Sequence, residues 1–96
     1  MTEIKHGNNE FYIEEDGKVI GRIQYIPSGT GKDGKEIITV THTIVDEDQN
    51  GRGLGKKLVY RIGDFAKEEQ KQIIPACSFA KKVLERKEEY RDLLAE

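Results

Sequence analysis

Between Glu36 and Glu69 the sequence changes its hydrophobic period once, and that change dictates a strand followed by a helix. Glu36 to Val45 (EIITVTHTIV) is dense in β-branched residues, whose restricted side-chain torsions suit a pleated strand. Strict alternation puts Ile38, Val40, His42 and Ile44 on one face and Ile37, Thr39, Thr41, Thr43 and Val45 on the other, which predicts a central strand with its richer face buried. From Leu54 onward the period lengthens. Leu54, Leu58, Ile62, Phe65 and Ala66 recur at three- and four-residue spacing, a single stripe along an amphipathic helix that ends near Glu69. The polar loop Asp46 to Asn50 and three alternate glycines, Gly51, Gly53 and Gly55, join the two elements.

The flanking segments extend this unit on both sides. Phe11 to Ile13 and Lys18 to Ile26 alternate β-formers with polar residues across a turn at Glu15 to Gly17, the pattern of an antiparallel hairpin. Pro27 to Lys35, with the turn pair Asp33-Gly34, reads as a second hairpin loop. Gln72 to Cys77 follows the helix closely enough to be a strand parallel to Glu36–Val45 through a βαβ crossover, and Pro75 puts it at an edge or ends it early. Ser78 can cap a helix from Phe79 to about Lys87, with a further helical piece from Glu88 to Leu94. The expected fold class is α/β (α+β): one domain over residues 1–96, with a mixed, mostly antiparallel sheet of about five strands, a βαβ core and a C-terminal helix.

Charge and cysteine content narrow the function classes. The 16 basic and 18 acidic residues sum to −2, so no global field favours nucleic acid or an anionic membrane, and any anion site is local. No apolar run approaches the roughly 20 residues that span a bilayer. Cys77 is the single cysteine, which excludes an intrachain disulfide, and no secretory pattern opens the sequence, so the cytoplasm is the expected compartment. His6, His42 and Cys77 have no close ligand spacing, and no metal is expected. The oligomeric state is open, with a monomer as the default.

Two glycine-rich segments spell phosphate-binding loops, and context separates them. Gly29 to Lys35 fits both the dinucleotide and the Walker patterns, with Glu36 in place of the required Ser or Thr, but it leads into a strand. Such loops work by opening a helix whose free N–H groups meet the phosphates. Asn50-Gly51-Arg52-Gly53-Leu54-Gly55 does open a helix, and Arg52, Lys56 and Lys57 add local cations. From glycine spacing alone, two readings stand: a strand-to-helix turn and nothing more, or a cradle for phosphate.

This order of strand, glycine turn, long helix, strand and helix, with the turn written Asn50-Gly51-Arg52-Gly53-Leu54-Gly55, resembles the acetyl-CoA-binding core of the GNAT N-acetyltransferase superfamily. The resemblance runs from about Glu36 to Arg86. Pro75 to Ala80, with Glu88-Glu89-Tyr90, is similar to a small GNAT-like subfamily in which the strand after the long helix ends in a cysteine. It implies a minimal GNAT-like fold whose ligand is acetyl-CoA or CoA. The N–H groups from about Gly51 to Lys56 would hold the pyrophosphate. The strands ending at Val45 and Cys77 would splay apart, with pantetheine pairing along the edge near Ile44 and Val45. Two departures accompany it. Asn50 stands where these enzymes usually have Arg or Gln, and there are too few residues among the first strands for the helical pair that normally forms much of the acceptor site.

Cys77 lies where an open parallel sheet presents reactive groups, and a helix starting at Ser78 would favour its thiolate. His42 could serve as its base if it lies across the splay. Either residue could equally be a packed core side chain. Tyr90 as a proton donor, and Lys81-Lys82 or Arg86-Lys87 as contacts for a ribose phosphate, are weaker candidates than a packing tyrosine and a solvated helix face. Two functions follow, beside a structural or interaction domain in which the glycine turn holds no ligand. In one, an acetyltransferase passes the acetyl group of acetyl-CoA to an amine of a small molecule or protein, directly or through Cys77. In the other, a non-catalytic module binds acetyl-CoA or CoA as a sensor, or needs a partner.

Overall fold

The computed structural model describes residues 3–95. Its elements are β1 (Ile4–Gly7), β2 (Glu10–Glu15), β3 (Lys18–Thr30), β4 (Glu36–Val45), α1 (Leu54–Glu68), β5 (Gln72–Pro75), α2 (Ser78–Glu85) and α3 (Glu88–Arg91). A single turn of 3-10 helix, Glu47–Gln49, separates β4 from the glycine turn. The strands form one sheet in sequence order, antiparallel from β1 to β4 and parallel between β4 and β5. This is the mixed five-stranded sheet that the sequence predicts. The short β1 was not anticipated, since IKHG carries only one strongly apolar side chain.

The β2–β3 and β3–β4 hairpins close by ordinary turn chemistry. Asp16 and Gly17 take φ of +52° and +78°, the paired positive values of a two-residue turn whose twist matches the flanking strands. Between β3 and β4 the Gly31 N–H donates to the Lys35 carbonyl at 2.7 Å, and the Asp33 carboxylate accepts from the Lys35 N–H at 3.1 Å. The segment from Gly29 to Lys35 is thus the end of β3 and a hairpin loop, and it opens no helix.

The helices cover one face of the sheet. From α1 come the buried Leu54, Leu58, Val59, Ile62, Gly63 and Ala66, and from α2 Ala80, Val83 and Leu84. They join Phe11, Ile13, Ile23, Ile38, Val40 and Ile73 in one core. Burying each large aliphatic side chain stabilises the fold by about 1.5–3 kcal/mol, which explains why the helical stripe is the clearest signal in the sequence. The opposite face carries the cross-strand rows Tyr12, Arg22, Ile44 and Ile26, Thr39, Ile74, in which the three isoleucines are exposed. Among the described residues no helix is long and apolar enough to cross a membrane.

One irregularity corrects the predicted faces of β4. Gln24 pairs with His42 but Tyr25 pairs with Val40, so Thr41 is an extra residue on β4, a β-bulge. A one-residue insertion exchanges the faces of everything beyond it. Ile38 and Val40 are buried as expected, but His42 and Ile44 turn to the exposed face and Thr43 and Val45 turn to the helix side.

Candidate functional site

The glycine turn requires glycine for its backbone. Gly51 and Gly53 have φ of +90° and +72°, in the left-handed region that a Cβ disfavours, and a Cβ at either position would meet no atom within 4 Å. Their need is conformational, and the space above them is open. Gly53 precedes α1 as its cap residue and supplies no side chain; its carbonyl accepts from Lys57 at 3.1 Å. The N–H groups of Leu54, Gly55 and Lys56 are therefore without helical partners. An acid in this turn would answer the dipole. This first turn has none and carries Lys56 and Lys57 instead.

Arg52 does not join that cationic group freely. Its guanidinium forms a two-pronged pair with Glu15 at the β2–β3 turn, at 3.0 and 2.6 Å, and also meets Gln49. The Arg52 guanidinium holds the Glu15 carboxyl below its usual range. Arg52 thus pins the turn to the sheet, while Lys56 lines the open side.

A cleft of roughly 520 Å³ runs from this turn into the sheet, bounded by Asn50, Gly51, Gly53, Leu54, Gly55 and Lys56 at one end and by Thr43, Val45 and Phe79 at the other. Phe79, in the first turn of α2, lies so close to Gly55 that a Cβ there would sit 3.0 Å from its ring. Glycine at 55 therefore lets α1 approach the ring, a need distinct from that of Gly51 and Gly53.

The inner end of the cleft exists because β4 and β5 part. Their pairing runs only from Ile37–Gln72 to Val40–Pro75, and the Cys77 N–H closes it by donating to the Val40 carbonyl at 3.1 Å. Beyond Val40 the strand has no neighbour on that side among the described residues. Asp46 N–H donates to Ile20 at 2.9 Å, which sets the alternation of the β3–β4 ladder. Ile44 and His42 then bond to β3, whereas Thr43 and Val45 direct their peptide groups into the gap. The edge available for pairing is Thr43 and Val45, not Ile44 and Val45.

Cys77 stands at the head of α2 as its cap residue, in place of the predicted Ser78. It is half-buried, and its Sγ lies 3.6 Å from Thr43 Oγ1. Burial pushes the thiol up. The N–H groups of Ala80, Phe79 and Thr43 and the Thr43 hydroxyl outweigh that effect and hold it below its ordinary value. The side chain makes no capping hydrogen bond to the helix, so these N–H groups act on the sulfur mainly as dipoles. His42, expected beside Cys77, is exposed on the other face because of the bulge. Tyr90 is buried, donates to Asp64 at 2.8 Å and stacks on Tyr60. Burial, then the Asp64 carboxylate, raises its pKa, which suits packing and not proton donation. Thr43 and Phe79 are the residues that sequence reasoning missed. No group of ligating side chains for a metal occurs among the described residues.

The sequence pattern of the GCN5-related N-acetyl-transferase family matches residues 10–93. The chain belongs to the GCN5-related N-acetyltransferase family. A GCN5-like protein of Staphylococcus aureus, determined by NMR, matches this GCN5-related domain with TM-score 0.70 and 36% identity, over 97% of this chain and 87% of that one. YhbS of Escherichia coli, a GNAT-family N-acetyltransferase crystallised with CoA, matches with TM-score 0.58 and 25% identity, over 68% of this chain and 38% of the other. Glucosamine-6-phosphate N-acetyltransferase of Arabidopsis thaliana shares the fold, with TM-score 0.66 and 24% identity over 77% of this chain and 56% of that one. A comparison with curated protein sequences finds no match. Within the GCN5-related family the mixed sheet and the β4-to-α2 order seen here are the expected frame.

Proposed function

We propose that this protein binds acetyl-CoA in the cleft between the glycine turn and the β4–β5 gap and transfers its acetyl group to an amine, with Cys77 as the intermediate acceptor. The observation that carries the reading is continuity: one cleft joins an uncapped, lysine-bearing helix N-terminus to an unpaired strand edge, and Cys77 stands at the inner end of the gap. An anion suits the first, an extended chain with amide groups suits the second, and a thioester suits the third.

The residues divide the work accordingly. The N–H groups of Leu54, Gly55 and Lys56, with the Lys56 ammonium, would take the pyrophosphate. Asn50 and Gly51 line the same end, and Arg52 orients the turn through Glu15. Thr43 and Val45 would pair with the pantetheine amides, with Phe79 as the apolar wall. Acetyl-CoA supplies an activated acyl group. Cys77, as thiolate, attacks the thioester carbonyl, so a carbon–sulfur bond to Cys77 forms and the bond to the CoA sulfur breaks. The CoA thiolate takes up a proton. An amine then attacks the acetyl-cysteine, the amide forms, the surplus amine proton is lost, and the Cys77 sulfur leaves as the regenerated thiolate.

Incubation with acetyl-CoA followed by intact-protein mass spectrometry tests this. A gain of one acetyl group that disappears in Cys77→Ala is expected; turnover of amines that survives Cys77→Ala would mean direct transfer. A second reading, a CoA-binding module without transfer, has one observation in its favour: the sheet face turned away from α1 and α2 carries no helix among the described residues to enclose an acceptor. CoA binding with neither adduct nor turnover would establish it.

A further inference from the structure

We propose that Thr43 is the positioning residue for Cys77, presenting its hydroxyl and its peptide N–H to the sulfur across the gap between β4 and β5. The inference rests on the reading of Cys77 as acetyl acceptor.

Three features of the geometry converge on Thr43. The bulge at Thr41 turns its side chain to the helix side of the sheet, where strict alternation would have put His42. The ladder phase directs its peptide group away from β3 and into the gap. Its hydroxyl lies 3.6 Å from Cys77 Sγ and has no other hydrogen-bond partner among the described residues. In the neutral state the thiol donates to Thr43 Oγ1. Once the thiol has lost its proton to solvent, the hydroxyl turns over and donates to the thiolate, joined by the Thr43 N–H.

Lys56 lines the same cleft at its glycine-turn end, but none of the groups that shift the thiol most is charged. The groups that most favour the thiolate are the dipoles of Ala80, Thr43 and Phe79. β5 contributes Ile74 and Pro75 at its end, which do not titrate, and Lys81 and Lys82 of α2 are exposed. On β4 itself, His42 faces the opposite side of the sheet. A threonine here favours the thiolate through a neutral donor, a smaller effect than that of a charged neighbour.

The test follows alkylation of Cys77 by iodoacetamide against pH in the full chain, for the native protein, Thr43→Val and Thr43→Ser. Thr43→Val keeps shape and strand propensity and removes only the hydroxyl. It should raise the midpoint of the rate profile by about half to one pH unit, so that alkylation below the midpoint slows roughly three- to tenfold. Thr43→Ser should restore the native midpoint. A Thr43→Val midpoint equal to the native one overturns the proposal, as does a shift that Thr43→Ser fails to reverse. Should Thr43→Val shift the midpoint while acetyl-CoA leaves no adduct on the native protein, the tuning of the thiol by Thr43 stands and the acetyl-acceptor reading of Cys77 falls.

Discussion

Replacing Gly53 by alanine isolates the conformational demand of the glycine turn. Gly53 has φ of +72° and ψ of 23°, and a Cβ built on it meets nothing within 4 Å, so the substitution adds strain without a clash. An alanine in the left-handed region costs about 1–2 kcal/mol. In the free protein the turn can relax out of that region, because α1 is anchored independently by Leu54, Leu58 and Ile62. Binding requires the turn to return, so the strain appears in the affinity. At tenfold per 1.4 kcal/mol, CoA should bind Gly53→Ala about 5- to 30-fold more weakly, with unchanged helix content. Isothermal titration with CoA and far-ultraviolet circular dichroism measure both quantities. Gly53→Asn separates conformation from bulk: asparagine tolerates the left-handed region better than alanine although it is larger, and should bind the tighter of the two. Native affinity in Gly53→Ala would refute the reasoning, and Gly53→Asn binding more weakly than Gly53→Ala would show that bulk at the phosphate decides.

Two more outcomes are expected. Gly63→Ala, where a Cβ would lie 2.8 Å from Cδ1 of the buried Tyr90, should lower Tm in a thermal melt despite the better helix propensity of alanine: overpacking of about 1–3 kcal/mol against a propensity gain near 1 kcal/mol leaves a net loss, because Asp64 and Tyr60 hold the ring in place. Lys56→Ala should weaken CoA binding more than Arg52→Ala and flatten its salt dependence, since Lys56 lines the cleft while Arg52 is occupied by Glu15; the reverse order in a titration at two salt concentrations would make Arg52 the phosphate ligand.

Much of the frame was legible because it depends on local pattern. The β-branched run, the three- and four-residue stripe from Leu54 and the alternate glycines each depend on near neighbours in the chain, so β4, α1 and the turn came out with nearly correct bounds. The rejection of the Gly29 segment as a phosphate loop was of the same kind. β1 escaped because its strand character comes from pairing with β2 and not from its own four residues.

The composition of the gap was not legible in the same way. A β-bulge leaves no mark in a β-branched run, because Thr41 looks like any other strand residue; it exists only through the offset with which β3 meets β4. That single offset turned His42 and Ile44 away from the helix side of the sheet and turned Thr43 toward it. The capping role of Cys77, the pairing of Arg52 with Glu15 across 37 positions and the approach of Phe79 to Gly55 are likewise decided by how separate elements meet. The sequence by itself determined that a strand would hand over to a helix through a glycine turn, since short-range sterics and period suffice for that. Only the tertiary structure decided which side chain faces the thiol, because register is a property of two strands and not of one.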